Sequence, residues 1–516
     1  MVLALPAGAA VKLTRRRLLA GLGGGIGAAV IGVPLLTGLH GSTSAGSLLP
    51  SRRPLPNPFM LPFRVPPVLE PIRRDRTGDH YQIVQRAATA EMLPGVRTGI
   101  WAYEGRFPGP TIRSPRGRRT IVSHRNDLPV PTVVHLHGGH TPAVDDGFPT
   151  DLIPPGGRRT YTYPLRQPAA TLWYHDHRMD FTGPAVWRGL AGFHLITDPD
   201  EDRLGLPAAD RDLPIMITDR SFDTDGSLLY PSLDPMLHHM AGVREPYGSG
   251  VLGDVVLVNG SAWPVAPVPA VRHRLRLLNA SNARRYRLAL DPPPPGGGGL
   301  VQIGADNGLL GAPITHDAIE IAPAERFDVI VDFGRYRPGT QVRLINTFGD
   351  RTTTPVMRFD ITHTAPDDSR IPDALAPAAP PTPPPTVTRD LRLRHDTVNG
   401  MPGWTINGIP FDPRRPALTA QLGTTEIWRI SSDFHHPVHL HLASFRVLGR
   451  GLGGPGPYDS GPKDTIDLRP AEQATIRVTF TDHPGRYVFH CHNLEHEDMG
   501  MMAAFDVTGA PFNGRD

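Results

Sequence analysis

The 516-residue chain contains a single cysteine, which excludes a framework of internal disulfides. Its formal net charge of +3 at pH 7 is small for this length, and the basic residues are scattered rather than grouped. Neither feature favours a nucleic-acid-binding surface. Beyond residue 45 the chain also lacks an apolar run long enough to cross a bilayer, so no membrane-spanning segment is expected there.

Residues 1–45 carry the features of an export signal. The run Thr14-Arg15-Arg16-Arg17-Leu18-Leu19 is a twin-arginine pattern, and the uncharged stretch 18–39 is rich in glycine and alanine. Residues 43–45, Thr-Ser-Ala, offer a cleavage site. We therefore predict export by the twin-arginine route to the cell envelope or the extracellular space, without stable membrane association after cleavage. The alternative is an uncleaved anchor, because the apolar stretch is long enough to span a membrane.

Proline and glycine are abundant, with 59 and 55 residues. Short apolar runs alternate with turn residues throughout, and helical periods are few, which predicts an all-β protein built of sandwiches of short strands. The length allows three domains of roughly 150 residues each. Residues 46–75, which are rich in proline and arginine, are predicted to form an extended arm.

An internal repeat also indicates three units. Each copy consists of a strand, a turn glycine and a following proline, and Gly105, Gly260 and Gly408 are spaced at roughly 150 residues. A second strand that ends in a polar turn follows each copy. In the first and third units a His-x-His strand comes next, whereas the corresponding segment of the second unit, 282–288, contains no histidine. We therefore interpret the middle unit as a spacer without metal ligands.

Four His-x-His pairs stand beside apolar, β-type residues. Because side chains alternate between the two faces of a strand, each pair places two imidazoles on one face. A random scatter of 23 histidines rarely gives four such pairs, so we expect metal sites rather than isolated core or surface histidines. The pairs are His135 and His137, His175 and His177, His439 and His441, and His490 and His492.

The only cysteine lies inside the last pair. In a strand, Cys491 points to the face opposite its two histidine neighbours. His496 follows five residues after Cys491, and Met501 five residues after His496. One thiolate, two imidazoles and a weak axial thioether are the ligand set of blue-copper electron-transfer sites. The second histidine of that set is available in the segment 435–441.

These motifs resemble those of the multicopper oxidases of the laccase type. They are most similar to the group that contains bacterial spore-coat laccase, bilirubin oxidase and phenoxazinone synthase, and the resemblance covers nearly all of the chain after the export signal. It implies three cupredoxin-like Greek-key β-sandwich domains. We predict these domains at residues 76–205, 206–365 and 386–516, with the Pro-rich segment 366–385 as the linker into the third.

The resemblance also implies four copper ions, held at the interface of the first and third domains. The type 1 copper would be bound by His436, Cys491 and His496, with Met501 axial. The type 2 copper would be bound by His135 and His439. The type 3 pair would be bound by His137, His175, His177, His441, His490 and His492.

Two carboxylates match acidic positions of similar laccases. Glu497 follows His496 directly, and Asp146 lies in the segment Asp145-Asp146-Gly147. Buried acids near the copper cluster would deliver protons to oxygen. A solvated turn carboxylate is the alternative interpretation of Asp146.

Some residues lie near the motifs but outside the family pattern. His435 is interpreted as a neighbour that could compete with His436, and Met501 matches the axial position better by spacing than Met499 or Met502. His140 is expected to be an outer or surface residue. The segment 236–240, with two histidines and two methionines, is predicted to be a flexible surface loop, with a labile metal site or a substrate-entry element as the alternative.

The resemblance implies one-electron oxidation of phenols, aminophenols, aromatic amines or bilirubin-like pigments, coupled to the four-electron reduction of dioxygen to water. Three alternatives remain. A cuprous or ferrous oxidase would require a Met-rich or carboxylate-rich entry, and the 12 methionines form no long insertion. A copper-free scaffold protein would have lost ligands, and a copper nitrite reductase would have a different ligand layout. The oligomeric state is left open.

Overall fold

The structure is a computed structural model that describes residues 46–377, 382–398 and 400–509. The predicted export signal, residues 1–45, lies outside the described residues, so twin-arginine export stays a prediction. Within the described ranges, no helix has both the length and the apolar character that a membrane crossing requires. Short strands dominate the fold, and the predicted all-β class is confirmed.

The first part of the chain forms two sheets around the first two His-x-His pairs. Its elements are β1 (Ser47–Leu49), β2 (Arg73–Asp75), β3 (Gly78–Leu93), β4 (Val96–Tyr103), β5 (Gly109–Pro115), β6 (Thr120–Asn126), β7 (Val134–His137), β8 (Arg158–Tyr163), β9 (Ala170–Asp176), α1 (Thr182–Arg188), β10 (Ala191–Thr197), α2 (Pro199–Asp202) and 3₁₀ turns at Ala143–Asp145 and Ala209–Arg211. One sheet has the order β2-β3-β6-β8, with β4 also paired to β3, and the other has the order β5-β10-β9-β7. The predicted arm, residues 46–75, contains β1 near its start and β2 at its end. β2 pairs with β3.

The middle part forms a larger pair of sheets. Its elements are β11 (Asp212–Arg220), β12 (Val251–Gly253), β13 (Val255–Val258), β14 (Ser261–Ala262), β15 (Val265–Val268), β16 (Arg272–Asn279), β17 (Tyr286–Asp291), β18 (Leu300–Ala305), β19 (Gly308–His316), β20 (Ala318–Ile321), β21 (Arg326–Asp332), β22 (Gln341–Asn346), β23 (Pro355–Ile361) and 3₁₀ turns at Tyr247–Ser249 and Phe333–Arg335. The sheet orders are β14-β13-β11-β16-β21-β18-β19 and β15-β23-β22-β17-β20. β12 pairs in parallel with β1 of the arm.

The last part forms a third pair of sheets. Its elements are β24 (Pro385–Val398), β25 (Met401–Ile406), β26 (Leu418–Gln421), β27 (Thr425–Ser432), β28 (His436–Leu440), β29 (Phe445–Arg450), β30 (Thr465–Leu468), β31 (Gln473–Thr479), β32 (Gly485–Cys491), α3 (Leu494–Asp498) and β33 (Met502–Thr508). The sheet orders are β25-β24-β27-β31-β29 and β26-β33-β32-β28-β30. Alternating burial along β27 and β31 places their apolar side chains in the core, where Trp428 packs against Phe489 and Phe505.

The repeated turn motif has the same backbone conformation in all three units. The residue before each turn glycine, Glu104, Asn259 or Asn407, has a φ of 47–56°, and the glycine itself has a φ of 71–80°. Two consecutive residues with positive φ are typical of a type I′ hairpin turn, which explains the glycine. Each copy of the repeat therefore corresponds to a hairpin turn, and each pair of sheets contains one copy. The exact domain boundaries stay predictions.

Candidate metal centre

Four strands bring the His-x-His pairs to one place. β7 and β9 are antiparallel neighbours with His135 opposite His175, and β28 and β32 are antiparallel neighbours with His439 opposite His490. All the histidines of the four pairs are buried. The site is therefore built from the first and the third pair of sheets.

The imidazoles form three groups, in each of which one ligand atom per residue lies within 4.8 Å of the others. Every group combines histidines of the first and third pairs of sheets, so no group is complete in one part of the chain. The six predicted type 3 ligands form two of the groups, and the two predicted type 2 ligands lie in the third. The groups are His137, His175 and His492; His177, His441 and His490; and His135, His439 and His441.

The donor atoms of these groups fit a metal ion. In His135, His175 and His439 the Nδ1 atom lies 2.6–2.9 Å from a backbone carbonyl oxygen, which leaves a buried Nε2 without a partner. An unpaired buried polar atom is destabilising, and a bound copper ion would satisfy it. Burial, reinforced by neighbouring imidazoles, lowers the pKa of His135 and His175 well below the ordinary range. These rings are therefore neutral, the form that binds metal.

A fourth group contains the only cysteine. The Cys491 Sγ atom lies 3.4 Å from His436 Nδ1 and 3.6 Å from His496 Nδ1, and the two nitrogens are 3.1 Å apart. Cys491 N donates to Met501 O at 3.0 Å, and the Met501 side chain is fully buried. Burial raises the pKa of the Cys491 thiol well above its ordinary value, so a thiolate here requires a metal to hold it. These are the residues predicted for the type 1 copper.

An indole covers this cysteine group. The ring centroid of Trp404 lies 3.7 Å from that of His496 and 5.4 Å from that of His436. Its Nε1 donates to Gly248 O at 3.3 Å, which ties β25 to the loop before β12. Sequence reasoning missed Trp404, because the repeated turn motif that follows it gives no sign of a copper site and its contacts depend on tertiary packing.

The two predicted acids both contact cluster histidines. Glu497 Oε2 lies 3.0 Å from His490 Nδ1, and Oε1 lies 3.8 Å from His177 Nε2. Burial opposes ionisation of Glu497, but its interactions with His490 and His177 outweigh burial and lower its pKa. Asp146 Oδ2 accepts a hydrogen bond from His441 Nδ1 at 2.7 Å. Asp146 is fully buried, which raises its pKa well above the ordinary value and excludes a solvated turn carboxylate.

Two further buried carboxylates were not predicted. Asp176 lies between the histidines of the second pair, and burial raises its pKa to about 7 although Val133 and Arg178 donate backbone N–H groups to it. Its place inside a His-x-His motif is a signal that could have identified it. Asp464 contacts His137 from outside any motif, and the sequence offers no comparable signal.

The ambiguous residues lie outside the four groups. His435 is buried near Asp467 and helps to lower the pKa of that carboxyl, after Arg285. His140 Nδ1 lies 3.1 Å from Asp482 Oδ2. His238 and His239 belong to an exposed loop.

A cavity of about 750 Å³ opens beside the cysteine group. Trp404 forms part of its wall, so the indole separates the cavity from the ring of His496. Residues of the loop before β12, including Ser249, line another side, and His496 Nε2 lies 3.1 Å from Ser249 O. The cavity therefore gives a small molecule a place to approach the predicted type 1 ligands.

Sequence models of the multicopper oxidase family match residues 85–201 and 380–510, which contain all the predicted ligands. A laccase of Bacillus subtilis (strain 168) is 36% identical, covering 87% of this chain and 98% of that protein. The bilirubin oxidase of Albifimbria verrucaria is 34% identical, covering 88% and 82%. The chain belongs to the multicopper oxidase family. A laccase structure from Pediococcus acidilactici superposes with a TM-score of 0.79 at 32% identity, covering 89% of this chain and 96% of that one.

The resemblance inferred from the sequence is thus confirmed, and so is the cupredoxin-like fold. The chain is a laccase-like oxidoreductase that uses oxygen as acceptor. Members of the family bind one type 1 copper, one type 2 copper and a type 3 pair, and the four donor groups fit that set. The assignment of each residue to one copper remains our proposal.

Proposed function

We propose that this multicopper oxidase is exported and oxidises phenols, aminophenols, aromatic amines or bilirubin-like pigments, which bind in the cavity beside Trp404. The observation that carries the proposal is the position of this indole, which lines the cavity and stacks on His496. An aromatic substrate packed on the outer side of the indole would lie one ring away from a type 1 ligand. The laccase and bilirubin oxidase relatives support the same substrate class.

The lining of the cavity suits such molecules. Phe411, Phe434 and His395 add aromatic surface, against which flat rings pack favourably. Asp180 and Glu245 line the same cavity and can accept hydrogen bonds from phenolic O–H or aromatic N–H groups. The combination of aromatic walls and a few carboxylates favours small aromatic reductants.

Copper ions held by these histidines and Cys491 would supply single-electron oxidation of the substrate and the four-electron reduction of dioxygen to water. The chain contributes the connection between the two sites, because Cys491 is covalently followed by His492 and preceded by His490. It also contributes acids. We infer that both groups move protons at the cluster: Asp146, beside His441, holds a proton, and Glu497, a carboxylate beside His490, accepts protons and passes them on.

Substitution of Trp404 tests the substrate site. We expect Trp404→Ala to raise KM for phenols about two- to thirteenfold, because an aromatic pair contributes about 0.5–1.5 kcal/mol beyond its buried area. Trp404→Phe keeps an aromatic face and should retain a KM close to that of the unchanged protein. The measurement is oxygen uptake over a panel of phenols, aminophenols and bilirubin. Unchanged KM for every aromatic substrate in Trp404→Ala would contradict this binding site.

One observation favours a second candidate, a metal-ion oxidase. Met236 and Met240 are exposed, with His238 and His239 between them, and the neighbouring residues Leu233 and Ala241 line the cavity. Soft thioether donors suit cuprous ions. The same oxygen-uptake assay with cuprous and ferrous ions distinguishes the candidates, because a metal-ion oxidase would turn these ions over faster than any phenol.

We further propose export by the twin-arginine route, supported by the Arg15–Arg17 run. Cell fractionation of an Arg15→Lys, Arg16→Lys variant tests this, because the variant should remain inside the cell. Normal export of the variant would contradict the route.

A further inference from the structure

We propose that Arg326, in the middle pair of sheets, is a positioning residue that acts through Asp464 to orient His137 and His439 for copper. The proposal rests on the ligand assignment above, in which His137 belongs to the type 3 pair and His439 to the type 2 copper. It gives the middle unit, interpreted from the sequence as a spacer, a connection to the cluster through Asp464.

The Arg326 side chain is fully buried and fixed by the hydrogen bonds it donates. Nη1 donates to Asp464 Oδ1 at 2.7 Å and Nη2 donates to Asp464 Oδ2, which makes the pair bidentate. Nε donates to Thr171 O at 3.0 Å, and the two terminal nitrogens also donate to Ala324 O at 2.9 Å and Asp306 O at 3.0 Å. The guanidinium therefore contacts the first, middle and last parts of the chain. These hydrogen bonds fix its orientation.

Asp464 in turn contacts one histidine from each side of the cluster. Its Oδ1 lies 3.1 Å from His137 Nε2 and 3.5 Å from His439 Nδ1, and its backbone oxygen lies 2.9 Å from His439 Nδ1. These contacts leave Nδ1 of His137 and Nε2 of His439 as the buried nitrogens without a partner. The two rings stack with their centroids 3.6 Å apart. Asp464 thus selects which nitrogen of each ring is available to a metal, the role that outer carboxylates have in other metal sites.

Two further buried charged residues, Asp306 and Lys463, stabilise the Arg326–Asp464 pair. Asp306 Oδ1 accepts the backbone N–H of Arg326 at 2.8 Å, and Asp306 Oδ2 accepts the backbone N–H groups of Asp464 and Thr465 at 3.2 Å. Lys463 Nζ lies 3.3 Å from Asp306 Oδ2. The loop that carries Asp464 is therefore bound to the middle sheets by both backbone and side-chain contacts.

The middle sheets also contain a matched control. Arg274 forms a buried pair with Asp328 in which Nε lies 2.8 Å from Oδ1. Both this pair and Arg326 involve β21, yet the hydrogen bonds and ion pairs of Arg274 and Asp328 within the described residues include no cluster histidine. Loss of either arginine removes the closest cationic partner of a buried carboxylate, so both variants should lose stability. Only the Arg326 variant should change the copper cluster.

The test compares copper-loaded Arg326→Met, Arg326→Lys, Asp464→Asn and Arg274→Met. We expect Arg326→Met and Asp464→Asn to bind cluster copper about 10- to 100-fold more weakly in chelator competition, as other outer-shell changes do. The electron paramagnetic resonance signal of the type 2 copper should shift or weaken, while the blue absorption band persists. Arg326→Lys, which keeps the charge but not the bidentate geometry, should lie between these variants and the unchanged protein.

Three outcomes would overturn the proposal. These are an unchanged type 2 signal in Asp464→Asn, an unchanged signal in a folded Arg326→Met or Arg326→Lys, and the same spectral change in Arg274→Met. If Arg326→Met does not fold, the type 2 signals of Asp464→Asn and Arg326→Lys decide between the outcomes. An unchanged protein that lacks a type 2 signal when copper-loaded would instead contradict the ligand assignment itself.

Discussion

At the scale of single residues, the site depends on buried groups that have unsatisfied atoms until a metal is present. The imidazoles of His135 and His175 are neutral because burial lowers their pKa, and the Cys491 thiol is protonated because burial raises its pKa. Copper binding must therefore release a proton from Cys491. Copper affinity should increase with pH for this reason.

Glu497 gives the clearest prediction about proton delivery. Glu497→Gln removes a proton-relaying carboxylate beside His490 and His177, so reoxidation by oxygen should slow about 10²- to 10⁴-fold, the usual contribution of a positioned proton-transfer group. Reduction of the blue band by substrate without oxygen should be nearly unaffected. Stopped-flow absorption measures both half-reactions.

The matched control is Glu495→Gln in the same short helix. Glu495 is equally buried, but its carboxylate accepts hydrogen bonds from Tyr230, Asn282 and Val251 instead of contacting the cluster. Its substitution should leave the ratio between the rates of the two half-reactions unchanged. Equal slowing of both half-reactions in Glu497→Gln would be evidence against the proton role.

At the scale of elements, the end of β32 and the short helix α3 form one segment that provides ligands to both the cysteine group and the histidine cluster. β32 ends at Cys491, and α3 then carries His496 back to the cysteine, with Met501 N donating to His496 O at 2.9 Å. The alternation of side chains in β32 separates Cys491 from its histidine neighbours. This segment could be predicted well from the sequence, because its geometry is local.

The repeated hairpins allow a test of the turn conformation. Gly408→Ala should destabilise the protein by about 1 kcal/mol, the cost of a left-handed backbone for a residue with a Cβ atom. Gly260→Ala should cost more, because its Cβ atom would lie 2.5 Å from Phe107 O, whereas the space at Gly408 is open. Thermal unfolding midpoints at one scan rate compare the two variants. A Gly408→Ala midpoint equal to or below that of Gly260→Ala would contradict this account.

At the scale of the whole molecule, the copper centre exists only where distant parts of the chain meet. The histidines and the cysteine could be predicted because strand alternation and close spacing leave a pattern in the sequence. Asp464 is 327 residues from His137, and Arg326 is 138 residues from Asp464, so their contact leaves no periodic signal. Trp404 was missed for the same reason. Packing between the sheets, rather than any motif, places these residues at the site.

The most direct test of this account is the copper content and visible spectrum of the purified, copper-loaded protein beside its Cys491→Ser variant. We expect four coppers and an intense blue band for the unchanged chain, since a thiolate ligand to copper produces that band. The variant should lose the band and keep the copper held by the histidine groups. Little copper and no blue band in the unchanged protein, or a blue band that persists in Cys491→Ser, would contradict the account.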